Sequence, residues 1–377
     1  MHLHFITRKT IAITACIAAS FLQTAVAQNL HLPDGGVNLV SSAGSRVGVT
    51  DIEVHWNAPG VKGREGKIWG TDIAPFGFNV LGYGSNVASP WRAGANECTT
   101  ISFSTDVFIN GKPLSAGNYA FFIALYADSC TLIFNKNVKE WGSYFYDQTA
   151  DVLRVGTHQQ KDMKESRERL AYTFSNDKPN TVELALEWEK WRIPISVTVD
   201  LKQTTLASIR SQMSGALGFD PPSLEAAAGW CLQNEVNETE ALNWINSAVN
   251  PSLGGVKTFA ALNTKAGLLN RLNRKAEADS LMKQAMENAT VVELHRYGRQ
   301  LLAQQKIPEA LAVFQQNFAK HKGAWPTHAG LMRGYSAAGD FKKALEHAKL
   351  ALPQAPDEQN KKIIEQAIKN LSEGKPM

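Results

Sequence analysis

Alternating apolar and polar residues mark the first half of the chain. Between Asp51 and Trp56, every second residue is apolar, which is the period-two pattern of a half-buried strand. The same alternation recurs at residues 101–104, 182–188 and 193–199. Residues 119–126 are apolar nearly throughout and suit a strand that is buried on both faces. Short strands separated by turns predict an antiparallel β-sandwich or a barrel-like domain.

Beyond Asp200 the pattern is helical. Small and apolar residues recur at i, i+4 and i+7, which is one face of a helix, in four sets: Ala241, Ile245, Ala248; Ala278, Met282, Ala285; Ala310, Phe314, Asn317; and Ala344, Ala348, Ala351. The first members lie 37, 32 and 34 residues apart, close to the tetratricopeptide period of about 34 residues. The pattern predicts an α-helical, tetratricopeptide-like solenoid, so the chain is multidomain, β plus α.

The N-terminus has the pattern of a signal peptide. Arg8 and Lys9 precede an apolar run and the small residues Ala25-Val26-Ala27. The run is shorter than the roughly 20 residues that span a bilayer, so we expect cleavage before Gln28, export to the periplasm or beyond, and no membrane span.

These patterns divide the chain into four parts. We expect a signal peptide at 1–27, a β-rich domain at 28–203, a linker at 204–221 and helical repeats at 222–371. The linker boundary rests on Pro221-Pro222, because consecutive prolines interrupt a helix.

Charge and motifs exclude several classes of function. Loss of residues 1–27 lowers the formal charge from +4 to +2, and no basic run carries interleaved aromatic residues, so we expect no nucleic-acid partner. After the expected cleavage before Gln28, the remaining chain has no His-x-His, His-Glu-x-x-His or Cys-x-x-Cys spacing, so we expect no metal site. It also has no Gly-x-Ser-x-Gly elbow or phosphate-binding Gly-rich loop, and we expect no cofactor.

Several strings in the β-rich part carry a family resemblance. They are PGVKGR (59–64), WRAGANE (91–97), TTISFSTDVFINGKPLSAGNYAFF (99–122), IFNK (133–136), WGSYFYD (141–147) and DVLRV (151–155). Over roughly residues 35–200 the chain resembles a family of secreted bacterial proteins known only as a domain of unknown function. The resemblance implies a β-sandwich-like fold and a secreted setting, and it supplies no catalytic residues. Ala58 departs from the Arg that members commonly have before the first string.

Two cysteines also depart from the residues usual in that family. Cys98 and Cys130 both stand at the start of neighbouring β segments, and two coincident departures suggest a disulfide. In the chain-entropy model, a loop of about 30 residues closed in this way adds about 3 kcal/mol of stability. Cys231 is expected to be a buried free thiol.

The string WRAGANE is the strongest candidate binding site. Arg92 can grip a carboxylate or phosphate, Trp91 offers a flat face to a sugar, and Asn96 and Glu97 add polar groups. Lys62 and Arg64, in a Gly-rich turn, can add positive charge. The alternative is structural: an Arg92–Glu97 ion pair, Trp91 plugging the end of the sandwich, and the two basic residues on a surface turn.

Two functions remain open. The first is a non-enzymatic exported binding or scaffold protein, in which the repeats engage a protein or peptide and the β domain holds a partner or a small anionic or sugar ligand. The alternative is a secreted hydrolase of glycans or peptides, with Glu97 and Asp147 as acid and base.

Overall fold

The computed structural model describes residues 38–377, apart from the side chains of Asn176 and Asp177. The expected signal peptide lies outside the described residues. The chain divides into two compact units, with the boundary between Thr198 and Val199.

The first unit is built from antiparallel strands. The strands in its described part are β1 (Leu39–Val47), β2 (Thr50–Ala58), β3 (Asn79–Val80), β4 (Ala88–Ser89), β5 (Ala95–Phe103), β6 (Val107–Ile109), β7 (Lys112–Leu114), β8 (Gly117–Leu125), β9 (Cys130–Asn135), β10 (Asp151–Thr157), β11 (Arg167–Lys178), β12 (Thr181–Glu189) and β13 (Trp191–Thr198). They form a six-stranded sheet of order β1-β2-β5-β8-β9-β10, a five-stranded sheet of order β11-β12-β13-β6-β7, and the β3-β4 pair. Both large sheets have free ends in this order, so the predicted β domain is confirmed and a closed barrel is not formed.

Aromatic side chains join the two large sheets. Trp56 on β2 packs edge-on against Tyr172 on β11, with 5.0 Å between ring centroids. The Trp56 indole N–H also donates to the main-chain oxygen of Leu170 at 3.1 Å. The ring of Phe121, on the central strand β8, lies 6.3 Å from that of Tyr172. As its apolar run predicts, β8 is buried from Tyr119 to Leu125.

The disulfide expected between Cys98 and Cys130 is not formed, and both residues are free and buried. Cys98 lies on β5 and Cys130 on β9, with β8 between them. Strands separated by one other strand are about 9.5 Å apart, beyond the roughly 7 Å that a disulfide spans between Cα atoms. The sequence-based prediction treated the two segments as neighbours, whereas each pairs with an opposite side of β8.

Burial leaves the thiols protonated. It raises the pKa of Cys130 to about 12 and that of Cys231 to about 11. The pKa of Cys98 is raised for the same reason. Cys231 is free and buried, as predicted.

All three thiols are therefore expected to resist alkylation in the native protein, because the thiolate is the reactive form. In denaturant without any reductant, Cys98, Cys130 and Cys231 should all become alkylated, as peptide mass spectrometry would show. If alkylation of Cys98 and Cys130 required a reductant, the pair would be disulfide-bonded after all.

The second unit is helical. Its described helices are α1 (Leu201–Met213), α2 (Pro221–Asn234), α3 (Glu238–Ala248), α4 (Phe259–Arg271), α5 (Lys275–Asn288), α6 (Val291–Ala303), α7 (Ile307–Lys320), α8 (Trp325–Ala337), α9 (Phe341–Ala351) and α10 (Glu358–Ser372). From α2 onward, consecutive helices pack in pairs: α2 with α3, α4 with α5, α6 with α7, and α8 with α9. The four predicted i, i+4, i+7 faces lie on α3, α5, α7 and α9, and all their residues are buried.

The expected linker differs from the structure. Most of residues 204–221 lie in α1, which begins where the Asp200 carboxylate accepts from the main-chain N–H of Gln203 at 3.0 Å. Pro221 does not interrupt a helix but begins one: it occupies the first turn of α2, capped by Asp220. Proline is well suited to that position, because the first turn needs no N–H from it.

Phe314 on α7 occupies a socket made by three glycines. Its side chain is fully buried. A methyl group on Gly298 of α6 would come within 2.4 Å of the phenyl ring, and one on Gly330 or Gly334 of α8 within 2.5 Å or 2.9 Å. These distances are far below van der Waals contact, so the ring fits only because all three side chains are absent.

None of the helices in residues 38–377 combines the length and the apolar character that crossing a bilayer requires.

Candidate functional site

A cleft of about 410 Å³ lies in the first unit, where the turn after β2 meets the loop before β5. It is lined by Asn38, Pro59, Lys62, Arg64, Ile73, Trp91, Arg92, Gly94, Ala95, Asn96 and Trp188. The fold therefore brings Lys62 and Arg64 together with Trp91, Arg92 and Asn96, although the two groups are far apart in sequence. Glu97 does not line the cleft.

The loop before β5 has an unusual backbone. Ala93 and Asn96 have positive φ angles of 51° and 55°, a conformation that costs a non-glycine residue about 1–3 kcal/mol. The main-chain oxygen of Ala93 accepts hydrogen bonds from the hydroxyls of Tyr172, at 2.8 Å, and Thr99, at 3.1 Å. A side chain on Gly94 would collide with Thr99. These contacts hold the loop in its strained form.

The Arg92 guanidinium is fixed in place while most of its donors stay free. It lies over the Tyr144 ring, 4.8 Å from the centroid, and against Gly142. Its Nη1 donates to the main-chain oxygen of Asn96 at 2.9 Å. Of the five N–H groups of an arginine, this is the single hydrogen bond that Arg92 makes within residues 38–377.

The Arg92–Glu97 ion pair considered from sequence is not formed. Glu97 instead accepts from the Asn57 side chain at 2.6 Å. Asn96 donates to Asn57 at 3.3 Å and accepts from Asn38 at 3.1 Å. A directed chain of three amides thus ends on the Glu97 carboxylate and orients Asn96 at the edge of the cleft.

The turn after β2 supplies two more cations. Arg64 donates from Nε to the main-chain oxygen of Val61, at 2.9 Å, and from Nη2 to that of Gly60, at 2.7 Å. These two hydrogen bonds stabilise the turn. Lys62 has a positive φ of 51° and an exposed side chain. Its main-chain N–H donates to Glu168 at 3.1 Å, and its ammonium group has no partner in the described part of the chain.

The floor of the cleft is a tryptophan cluster, in which Trp91 and Trp188 line the cleft and Trp69 and Trp191 pack behind them. Trp91 and Trp188 are nearly parallel, with 6.2 Å between centroids, and Trp69 meets both edge-on at 5.7 Å. On its other side Trp69 stacks on Trp191 at 4.4 Å and donates to the buried Glu189 carboxylate at 3.2 Å. Trp188 is fully buried, and its indole N–H has no hydrogen-bond partner.

Sequence reasoning missed the part of this floor that lies outside WRAGANE. Trp188 ends the alternating run at residues 182–188 and is buried. Neither Trp69 nor Glu189 stands in a string that signals a site.

The two carboxylates considered for hydrolysis lie elsewhere. Asp147 caps a 3₁₀ turn, accepting from the main-chain N–H and the hydroxyl of Thr149 at 2.9 Å and 2.7 Å. These hydrogen bonds lower the pKa of Asp147, which favours its ionised form. Neither Asp147 nor Glu97 lines the cleft.

A second concave surface, which we call the helical groove, lies in the helical unit. Its volume is about 670 Å³, and most of its lining comes from α2, α4 and α6. The lining residues are Gly229, Leu232, Gln233, Glu235, Asn263, Thr264, Ala266, Gly267, Asn270, Arg271, Met282, Tyr297, Gln300, Leu301, Gln304 and Lys306.

Many polar groups of the helical groove are unpaired. The side chains of Gln233, Thr264, Asn270 and Gln304 have no hydrogen-bond partner within the described residues. Arg271, by contrast, is bound by Glu235 and Glu238 at 2.8 Å and 3.3 Å. The groove therefore offers neutral donors and acceptors beside the Arg271–Glu235 ion pair and the cation of Lys306.

Residues 38–377 contain no cluster of three or more His, Cys, Asp or Glu side chains placed to hold a metal ion.

Comparisons with known proteins agree with the division into two units. Residues 40–197 match the model of a family described as "Protein of unknown function (DUF2911)". The match covers the first unit from β1 to β13, the same region in which the strings PGVKGR and WRAGANE occur. A comparison with curated proteins finds no match.

Proposed function

We propose that this protein is an exported, non-enzymatic binding protein whose helical unit is a tetratricopeptide-like array that holds an extended peptide segment of a partner in the helical groove. The observation that carries the proposal is a set of three unpaired amide side chains that line the helical groove, Gln233 on α2, Asn270 on α4 and Gln304 just after α6. The proposal that the protein is exported rests on the N-terminal pattern Ala25-Val26-Ala27.

The packing of the helices supports an array. Helices pair in sequence, and the first helices of neighbouring pairs also touch, α2 with α4 and α6 with α8. Phe259 of α4 meets Tyr297 of α6 edge-on at 5.7 Å. Stacked pairs of this kind present one helix from each pair to a shared surface, which is the usual binding surface of such arrays.

The chemistry of the helical groove supports an extended peptide. Each Asn or Gln side chain has two N–H donors and a carbonyl acceptor, which match the alternating N–H and C=O groups of an extended main chain. Asn270 on α4 and Gln304 after α6 are exposed and unpaired, so neither must break a protein hydrogen bond to bind. Tyr297 and Leu301 supply apolar contacts between them.

The double variant Asn270→Ala/Gln304→Ala is expected to weaken peptide binding about 30-fold, because two hydrogen bonds of about 1 kcal/mol each are lost. The probes are peptides selected from a random displayed library on the wild-type protein, and affinity is measured by fluorescence anisotropy. Because both side chains are exposed and unpaired, the melting temperature should stay within a degree or two.

Gln284→Ala is the matched control. Gln284 is an exposed amide on α5 that does not line the helical groove, so its loss should leave binding unchanged. Selected peptides that bind the double variant and the control equally would contradict the proposal.

A further inference from the structure

The two arginines of the cleft differ in their partners from four other arginines of the first unit. Outside the cleft, Arg46, Arg154, Arg167 and Arg192 each form an ion pair with an Asp or Glu. Within the cleft, Arg64 and Arg92 pair with no carboxylate of residues 38–377, and neither does Lys62. Three cations therefore meet at one cleft without forming an ion pair in the described part of the protein, and the Glu168 carboxylate accepts from the main-chain N–H of Lys62.

We propose that this cleft binds a small molecule through an oxyanion, a carboxylate or phosphoryl group held on the free edge of Arg92 with Lys62 beside it. This site is separate from the helical groove and does not depend on the function proposed for it.

The geometry of Arg92 favours an oxyanion. One Nη1 hydrogen is used on the Asn96 oxygen, and the guanidinium packs over the Tyr144 ring and against Gly142. The remaining donors lie along the plane of the group, where a planar fork pairs with two oxygens of a carboxylate or phosphate. A guanidinium clamped in this way loses little freedom on binding, which improves affinity.

Three non-glycine residues around the cleft have left-handed backbone. Lys62 and Ala93, on two separate loops, and Asn96, at the start of β5, have positive φ angles between 51° and 55°. Strained backbone of this kind persists where surrounding contacts enforce it, and it is concentrated at ligand-binding sites. The volume of about 410 Å³ falls in the range of about 300–1,000 Å³ that holds small ligands.

The test is calorimetric titration of the purified protein with glucuronate and, separately, with inorganic phosphate, at low ionic strength. At least one anion should bind, and Arg92→Gln should weaken its binding tenfold or more, because a charge-assisted hydrogen-bonded pair is lost. Arg92→Lys keeps the charge but loses the fork, so it should also bind more weakly. Binding of glucuronate alone would identify a carboxylate site, and binding of phosphate alone a phosphoryl site.

Two further variants keep the result interpretable. Lys62→Gln alters an exposed side chain without a protein partner, so it should fold normally and weaken binding a few-fold. Arg46→Gln removes a cation that is already paired with Asp51, and it should leave binding unchanged. The proposal is overturned if neither anion binds to the wild-type protein at millimolar concentration, or if folded Arg92→Gln and Lys62→Gln bind as the wild type does.

Discussion

Replacing Phe314 by alanine is expected to lower the free energy of unfolding of the helical unit by about 3–5 kcal/mol. The ring is fully buried, and its neighbours on α6 and α8 include Gly298, Gly330 and Gly334, with the His295 ring 5.9 Å away. A glycine has no side chain that could turn into the space left behind, so the cavity should remain open. Urea unfolding, monitored by circular dichroism, measures the loss. An unchanged slope of the unfolding free energy against urea concentration would show that the folded state is otherwise intact.

Gly298→Ala tests the same contact from the other side. Alanine normally stabilises a helix interior relative to glycine by about 0.5–1 kcal/mol, but here its methyl group would lie 2.4 Å from the Phe314 ring. We therefore expect a net loss of about 1–3 kcal/mol from overpacking. In the Phe314→Leu background, which lacks the outer ring atoms, that loss should be smaller. The double-mutant cycle then gives the interaction free energy between positions 298 and 314. A stabilising Gly298→Ala in the wild-type background would show that the socket has room.

Lowering the pH from 8 to 4 is expected to destabilise the helical unit by about 3 kcal/mol through His295 alone. Burial lowers the pKa of His295 to about 4, opposed by its hydrogen bond to the main-chain oxygen of Pro326, and the charges of Arg333 and Arg299 lower it further. The unfolded chain takes up a proton near pH 6.5, whereas the folded protein resists it. The stabilisation is therefore complete above pH 6.5 and is lost as the pH falls towards 4.

His295→Asn isolates this contribution. An Asn side chain can still donate to the Pro326 oxygen but does not titrate, so the variant should lose some stability at pH 8 and show a weaker dependence on pH. The measurement is the free energy of unfolding at pH 8 and at pH 4 for both proteins. Equal pH dependence in the two would exclude His295 as the source.

The pair of His328 and His347 also lowers stability as the pH falls, and it is still present in the His295→Asn variant. The Nδ1 atoms of His328 and His347 lie 3.0 Å apart. One Nδ1 must accept from the other, so the pair cannot carry a proton on both atoms. Burial lowers the pKa of each residue, and His328 lowers that of His347 further.

Periodicity predicted the elements because it reports burial directly. The alternation at residues 51–56 became β2, and the i, i+4, i+7 sets became the buried faces of α3, α5, α7 and α9. Periodicity does not reveal which strands pair with each other. Nothing in the spacing of Cys98 and Cys130 reveals that β8 lies between them. Likewise, Pro221 is compatible with a break or a helix start, and the Asp220 cap decides between them.

Sequence alone could predict only those cleft residues that stand close together along the chain. Trp91, Arg92 and Asn96 stand in one string, and so do Lys62 and Arg64. Glu97 follows Asn96 directly on β5, where the positive φ of Asn96 interrupts the regular alternation of the strand, and of the two only Asn96 lines the cleft. Trp69 and Trp188 reach the same place from distant segments, which only tertiary structure brings together.

The tryptophan floor gives the first unit an optical signature of its own. Trp69 and Trp191 are stacked at 4.4 Å and within 7° of parallel, close enough for their electronic transitions to couple, and the coupling gives an exciton pair in circular dichroism when the two indoles are rotated relative to each other within the stack. The helical unit contains Trp230, Trp244 and Trp325, and no stacked tryptophan pair occurs among its described residues. The exciton signal therefore reports the folding of the β unit alone, while the helical signal in the far ultraviolet follows the other unit. A single melting experiment can thus assign each loss of stability to the unit in which it arises.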